Sequence, residues 1–144
     1  MTAPVFNFRN VKLRLTTNTA TTVYSVLPYN SSTSNITLPN GVLPTEVSVI
    51  VLTMQCANIT GNGAPNVPAA QNVQISAQVV NSGTGTTSLF VSSYPVVPYN
   101  AFDPLSGNLI LTANDILQVQ TDTPYGVDVI ISLLEVANAQ IGRA

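Results

Sequence analysis

The chain has 144 residues, of which 45 % are apolar and only 7 % charged, with a formal net charge of −2. That length supports one domain with a real core, and that hydrophobicity excludes a disordered tail. The absence of His and Trp and the single cysteine, Cys56, exclude Ser/His/Asp and Cys/His catalysis, zinc sites of the ordinary Cys/His kind and an internal disulfide.

The opening segment holds three of the four bases, Arg9, Lys12 and Arg14, together with Phe6 and Phe8; the fourth base is Arg143. It lacks the apolar stretch of a signal peptide, so the chain is expected to begin at or near Met1. Alternation over Val5 to Leu15 predicts an extended strand with Phe6, Phe8, Asn10, Lys12 and Arg14 on one face and Val5, Asn7, Arg9, Val11, Leu13 and Leu15 on the other. Residues 1–12 read as an N-terminal arm or first-strand extension, with Phe6 and Phe8 as anchors and the bases as salt-dependent contacts. Next comes a strand from Thr22 to Leu27, then a long excursion from Tyr29 to Thr45.

Val47 to Leu52 carries apolar residues on both faces, the pattern of a strand buried between two layers. Cys56 follows that run without a basic neighbour and reads as a small buried hydrophobe. A second long connection, Ala57 to Gln71, is rich in Asn and Pro and is expected to offer contact surface. The clearest strand comes next: Val73, Ile75, Ala77 and Val79 alternate with Asn72, Gln74, Ser76 and Gln78. Leu89 to Val97, Leu109 to Thr112 and Ile116 to Thr121 are further strands, and Val127 to Val136 is again apolar on both faces. Tyr94, Tyr99 and Phe102, spaced by Pro95, Pro98 and Pro104, form an aromatic segment that serves either as a sugar platform or contact stripe, or as a strand pinned into the core.

Ten Pro and eight Gly punctuate these runs, and no window keeps helical spacing for three turns. The prediction is an all-β, jelly-roll-like β-sandwich of about eight strands with essentially no helix, its domain spanning 13–136 and a tail spanning 137–144. The acids Asp103, Asp115, Asp122, Asp128 and Glu135 lie by predicted turns and read as turn-forming groups rather than as a calcium site or a glycosidase pair. The glycosylation-like triplets at Asn30, Asn35 and Asn58 carry little weight in a chain this rich in Asn, Ser and Thr. No catalytic, metal or cofactor site is expected, and the charge balance argues against nucleic acid, as the short apolar runs argue against a membrane-spanning helix. A surface with so few charges must be largely amide and hydroxyl, or covered by a partner.

The segments Leu13-Arg-Leu-Thr-Thr-Asn-Thr-Ala-Thr-Thr-Val-Tyr-Ser-Val, Leu109-Ile-Leu-Thr-Ala-Asn-Asp-Ile-Leu-Gln-Val-Gln and Val127-Asp-Val-Ile-Ile-Ser-Leu-Leu-Glu-Val resemble small structural proteins of tailed bacteriophages. That resemblance implies a virion component without enzymatic activity: first a capsid decoration or cement protein on the major capsid lattice, expected as a homotrimer on the capsid surface. A tail, baseplate or fibre-base component is the alternative. From a different class, the alternative is a carbohydrate-binding or adhesin-like module using Tyr94, Tyr99 and Phe102. The expected partner-binding residues are Phe6, Phe8, Arg9, Lys12, Arg14, Tyr94, Tyr99 and Phe102.

Overall fold

The structure, a computed structural model, describes residues 2–26, 42–105 and 107–141, with side chains described over 6–26, 48–105 and 107–136. Its nine strands are β1 (Thr2–Leu15), β2 (Thr21–Ser25), β3 (Val42–Asn58), β4 (Val73–Asn81), β5 (Thr86–Val96), β6 (Ala101–Phe102), β7 (Leu109–Thr112), β8 (Asp115–Thr121) and β9 (Val127–Ile141). They form two antiparallel sheets packed as a sandwich, and no helix occurs among the described residues. The five-stranded sheet runs β1-β9-β3, with β6 and β7 both pairing along the far edge of β3. The four-stranded sheet runs β2-β8-β4-β5.

The core follows from alternation. On the first sheet Leu15, Val49, Val51, Met54, Cys56, Leu111, Val127, Val129, Ile131 and Leu133 are buried, and they meet Val23, Tyr24, Val73, Ile75, Ala77, Val96, Leu117 and Val119 of the second. Burial of this apolar set drives the fold, each large aliphatic side chain contributing about 1.5–3 kcal/mol relative to exposure. Bulges adjust the ladders where the period would otherwise slip: β3 shifts between Val51 and Thr53 against β9, and β5 shifts at Ser93, whose φ of 52° lets its N–H donate to Ser76 Oγ at 2.8 Å.

The all-β sandwich expected from the sequence is what the chain adopts. Leu109 to Thr112 is a strand with those bounds, and Val73, Ile75 and Ala77 point into the core as their alternation requires. The two-residue strand β6 was outside the expected set, because two residues carry no period. Other bounds shift, with β2 ending at Ser25 and β5 running from Thr86 to Val96. The expected strand Val47 to Leu52 is the middle of the 17-residue β3, and residues 137–141 of the expected tail extend β9, paired with β1 from Gln140 opposite Thr2 onward. Residues 1, 27–41, 106 and 142–144 lie outside the described residues, and with them Asn30, Asn35, Arg143 and most of the Tyr29 to Thr45 excursion.

The strands read as buried on both faces have one layer against them, not two. Ile50 and Leu134 are half-buried, Ile130 is exposed, and all three lie on the face turned away from the second sheet. The connection after β3 is anchored at its ends, while most of residues 61–71 stay exposed. Its ends are tied down by a buried network in which the Asn58 side-chain amide donates to the carbonyls of Gln71 and Val96, both at 2.8 Å, while Asn58 Oδ1 accepts from Thr60 N and Oγ1. Gly61 completes the packing at φ +86°, where a Cβ would stand 2.8 Å from Ala70 Cβ and 2.9 Å from Tyr99 Oη. Asn58 is 3 % exposed with its amide engaged, which removes it as a glycosylation acceptor.

Candidate functional site

The five-stranded sheet has an inner face on the core and an outer face on the surface, and pairing register fixes what stands beside what. Phe8 of β1 is opposite Leu134 of β9, Leu134 is opposite Ile50 of β3, and Ile50 is opposite Ile110 of β7. Four apolar side chains thus line up straight across four strands, with Phe8 74 % and Ile110 63 % exposed at the two ends. The adjacent row is Phe6, Val136, Ser48 and Thr112, with Phe6 60 % exposed. On the other side the next rung of the β1–β9 ladder pairs Asn10 with Ser132, joined by a side-chain hydrogen bond of 3.0 Å.

Charges begin beyond these rows. Lys12, Ile130 and Gln55 form one row, and Asp103, the residue after Phe102 of β6, stands at the level of Gln55 because Phe102 pairs with Cys56. In the last row Arg14 Nε donates to Asp128 Oδ1 at 2.8 Å and its Nη2 to Oδ2 at 3.2 Å, a fork that raises the Arg14 pKa further. Lys12, Arg14, Asp128 and Ile130 border an open depression of about 380 Å³ on this face.

The inner face of the same strands ends differently. Glu135 lies in mid-strand, opposite Asn7 and Val49, and is fully buried. Asn7 Nδ2 donates to its Oε1 at 2.8 Å, Tyr24 Oη donates to Oε2, and Arg9 Nη1 reaches Oε2 at 3.4 Å. These contacts tie β1, β9 and β2 together where the aliphatic core runs out. Arg9, whose side chain is 45 % exposed, is therefore engaged in holding Glu135, on the opposite face from Lys12 and Arg14.

The eight sequence-predicted residues thus divide three ways. Phe6, Phe8, Lys12 and Arg14 share the outer face, as alternation requires. Arg9 belongs to the Glu135 cluster. The aromatic segment lies across the sandwich edge: Tyr94 of β5 stacks on Phe102 of β6, ring centroids 4.3 Å apart and planes at 18°, joining the two sheets. Tyr99 is 75 % exposed, in a left-handed turn with φ 67°. Sequence reasoning misses the outer-face residues Ile50, Leu134 and Val136, because two-faced apolar strands read as fully buried, and Ile110, because its four-residue strand gives too little period to assign a face. Glu135 is not a turn acid, and the signal for this is its inward place in the alternation of β9.

The other described acids serve turns and ladders. Asp103 Oδ1 accepts the Leu105 N–H at 2.8 Å, Asp115 Oδ2 accepts the Thr112 N–H at 2.9 Å, and Asp122 Oδ1 accepts the Gln74 N–H at 2.9 Å. Among the described residues no three His, Cys, Asp or Glu side chains gather as a metal site, and no helix is long and apolar enough to cross a membrane. Cys56 is fully buried, and desolvation, with a smaller push from the Asp103 charge, raises its pKa to about 12.

No protein-family model and no curated protein matches the sequence. Among solved structures, the chain is similar in fold to the subunit of Bacillus endospore appendages, described as a family of disulfide-linked pili, with 12 % identity and a TM-score of 0.48 over 96 % of this chain and 90 % of that one. A weaker likeness, with 10 % identity and a TM-score of 0.32, is to the N-terminal endo-1,4-β-D-xylanase 10B of Clostridium thermocellum, whose CBM22-1 and GH10 modules are complexed with xylohexaose. That alignment covers 94 % of this chain and 29 % of the xylanase chain.

These findings correct the bacteriophage reading. The near-full-length likeness is to a pilus subunit, a structural protein, and not to a virion component. The quoted segments correspond to β1–β2, β7–β8 and β9, whose alternation any sandwich of this size needs, so the pattern reported strands rather than a virion. With it go the decoration or cement role, the tail or baseplate alternative, the trimer on a major capsid lattice and the capsid-surface location. The carbohydrate-binding alternative goes with them: of its three rings, Tyr94 and Phe102 stack on each other to join the two sheets, the core-pinning role the same segment also allowed. The likeness stops short of the linkage chemistry in the pilus description: this chain has one cysteine, and that cysteine is buried.

Proposed function

We propose that this chain is a structural subunit, not an enzyme, that assembles non-covalently with copies of itself. One observation carries the reading: β3 and β9 bear apolar side chains on both faces, while the sandwich covers only one of them, leaving Phe8, Leu134, Ile50 and Ile110 in a row on the surface. Contiguous apolar surface of this kind on a sheet marks a contact with another protein. Two further features support it. With 7 % charged residues the chain has little electrostatic repulsion to keep copies apart. The described acids are engaged in turns, ladders and the Glu135 cluster rather than paired across a cleft, which favours a structural role over acid–base chemistry.

Sedimentation of the purified chain over a range of concentrations tests the proposal. Association at tens of micromolar, where even modest interfaces form, is the expected result. A species that stays monomeric throughout would overturn it.

A further inference from the structure

Resting on that reading, we infer that the outer face of the five-stranded sheet packs on the same face of a second copy, about a two-fold axis that runs in the interface parallel to the strands, between β9 and β3. The occupant follows from how apolar and charged groups are distributed across the face. In the row of Phe8, Leu134, Ile50 and Ile110, and in the row of Phe6, Val136, Ser48 and Thr112, no side chain is ionisable. An acidic or basic partner would find no counter-charge there, whereas a surface of aliphatic, aromatic and hydroxyl groups fits it, and this face is itself such a surface.

The charges beyond those rows select the axis. Lys12 stands on the β1 edge, and Asp103 follows directly on Phe102 at the end of β6 on the opposite edge, within about one residue of the same level because Phe102 pairs with Cys56, the neighbour of Gln55 in the Lys12 row. Rotation about an axis between β9 and β3 exchanges the two edges. Lys12 of each copy then meets Asp103 of the other, Phe8 meets Ile110, and Leu134 meets Ile50. The Asp103 carboxylate arrives at the depression bordered by Lys12, Arg14 and Asp128, where Arg14 is paired with Asp128 and Lys12 supplies the net positive charge. Every large apolar group in the central row gains an apolar neighbour, and each of the two unlike charges gains its opposite.

The size of the face is adequate. Nine residues from Phe6 to Arg14 at about 3.4 Å each, across four strands about 4.8 Å apart, give a flat footprint of roughly 600 Å². The accessible area of a corrugated sheet exceeds its projection, which brings it near the roughly 800 Å² per partner of a standard interface. Sheets packed face to face in this way keep their strands within about 30° of each other, compatible with an axis parallel to the strands.

Charge reversal provides the test, because within one chain Lys12 and Asp103 are three strand spacings apart, about 14 Å, too far to couple strongly. The dissociation constant is measured by sedimentation at low and high salt for the wild type, Lys12→Glu, Asp103→Lys and the double reversal. All these side chains are exposed, and folding is checked by circular dichroism melting. Each single reversal is expected to weaken association about fivefold at low salt, and the double reversal to return to within about twofold of wild type. Since Asp103 also accepts the Leu105 N–H, Asp103→Asn keeps that acceptor and should still weaken association, by less than the reversal. Phe8→Glu should weaken it by at least about tenfold. Association by the wild type that survives Phe8→Glu, or a double reversal weaker than either single one, would overturn the face and its axis while leaving self-assembly standing; a monomeric wild type would overturn both.

Discussion

The two faces of the β1–β9–β3 sheet are built from the same strands by the same alternation, yet they differ in what lies against them. Val129, Ile131 and Leu133 are fully buried under the second sheet. Their neighbours Ile130, Ser132 and Leu134 face outward, with apolar residues recurring there almost as densely as inside. The difference teaches that apolar pattern reports how much cover a strand asks for, while the count of layers reports how much the chain itself provides. Here the request exceeds the provision by one layer.

The largest expected effect comes from cutting into the covered face. Ile131→Ala or Leu133→Ala removes side chains that are fully enclosed and should cost about 2–5 kcal/mol of unfolding free energy. Ile110→Ala, on the outer face, should cost under about 1 kcal/mol when unfolding is measured at concentrations where copies are separate. Similar losses at the two kinds of site, read by chemical denaturation, would break the distinction between the faces.

A smaller effect sharpens the comparison at the end of the inner face, where the core turns polar. Glu135→Ala takes the carboxylate acceptor from the buried Tyr24 hydroxyl and should cost about 2–3 kcal/mol, while the exposed Asn7 and Arg9 can turn to water. Glu135→Gln retains an acceptor for one donor and should cost roughly half as much. If Glu135→Ala melts with the wild type, the cluster contributes no net stability and β1 is held by its ladder alone.

A pH dependence of the covered face sharpens the comparison further. The folded Cys56 thiol is pushed from 9.0 up to about 12 by burial, so the unfolded chain releases its proton first. Stability from this group is therefore fully present below pH 9 and is lost as pH rises toward 12. The wild type should lose stability more steeply than Cys56→Ala across that window, and parallel curves would show that the thiol is not in fact desolvated.

How much of this was legible in the sequence depended on whether a feature is local. The alternation of Val73, Ile75 and Ala77 and the facing of Phe6, Phe8, Lys12 and Arg14 are properties of consecutive residues, and both appear as read. Strand β6 has two residues and exists because Cys56 and Ala57 offer a ladder for it. Glu135 takes its donors from residues 128, 126 and 111 positions away, so nothing near it in the chain announces the cluster. The outer row is likewise a product of register: Phe8, Leu134, Ile50 and Ile110 come from four strands, and only the pairing brings them into line. The bacteriophage resemblance failed for the converse reason, since its segments were local strand patterns that specify a sandwich without specifying its use.

Zero-length carbodiimide coupling of the unmodified chain tests the central claim most directly, because Lys12 is the sole lysine and its amine must touch a carboxylate to form an amide. Within one chain the roughly 14 Å between Lys12 and Asp103 across the sheet is too wide for a direct bond. Two copies meeting on the outer face should give a covalent dimer whose digest contains a peptide joining Lys12 to Asp103, formed between isotopically distinct copies when labelled and unlabelled chains are mixed. A chain that associates in solution yet yields no such peptide, or couples Lys12 across copies only to other acids, would contradict the account.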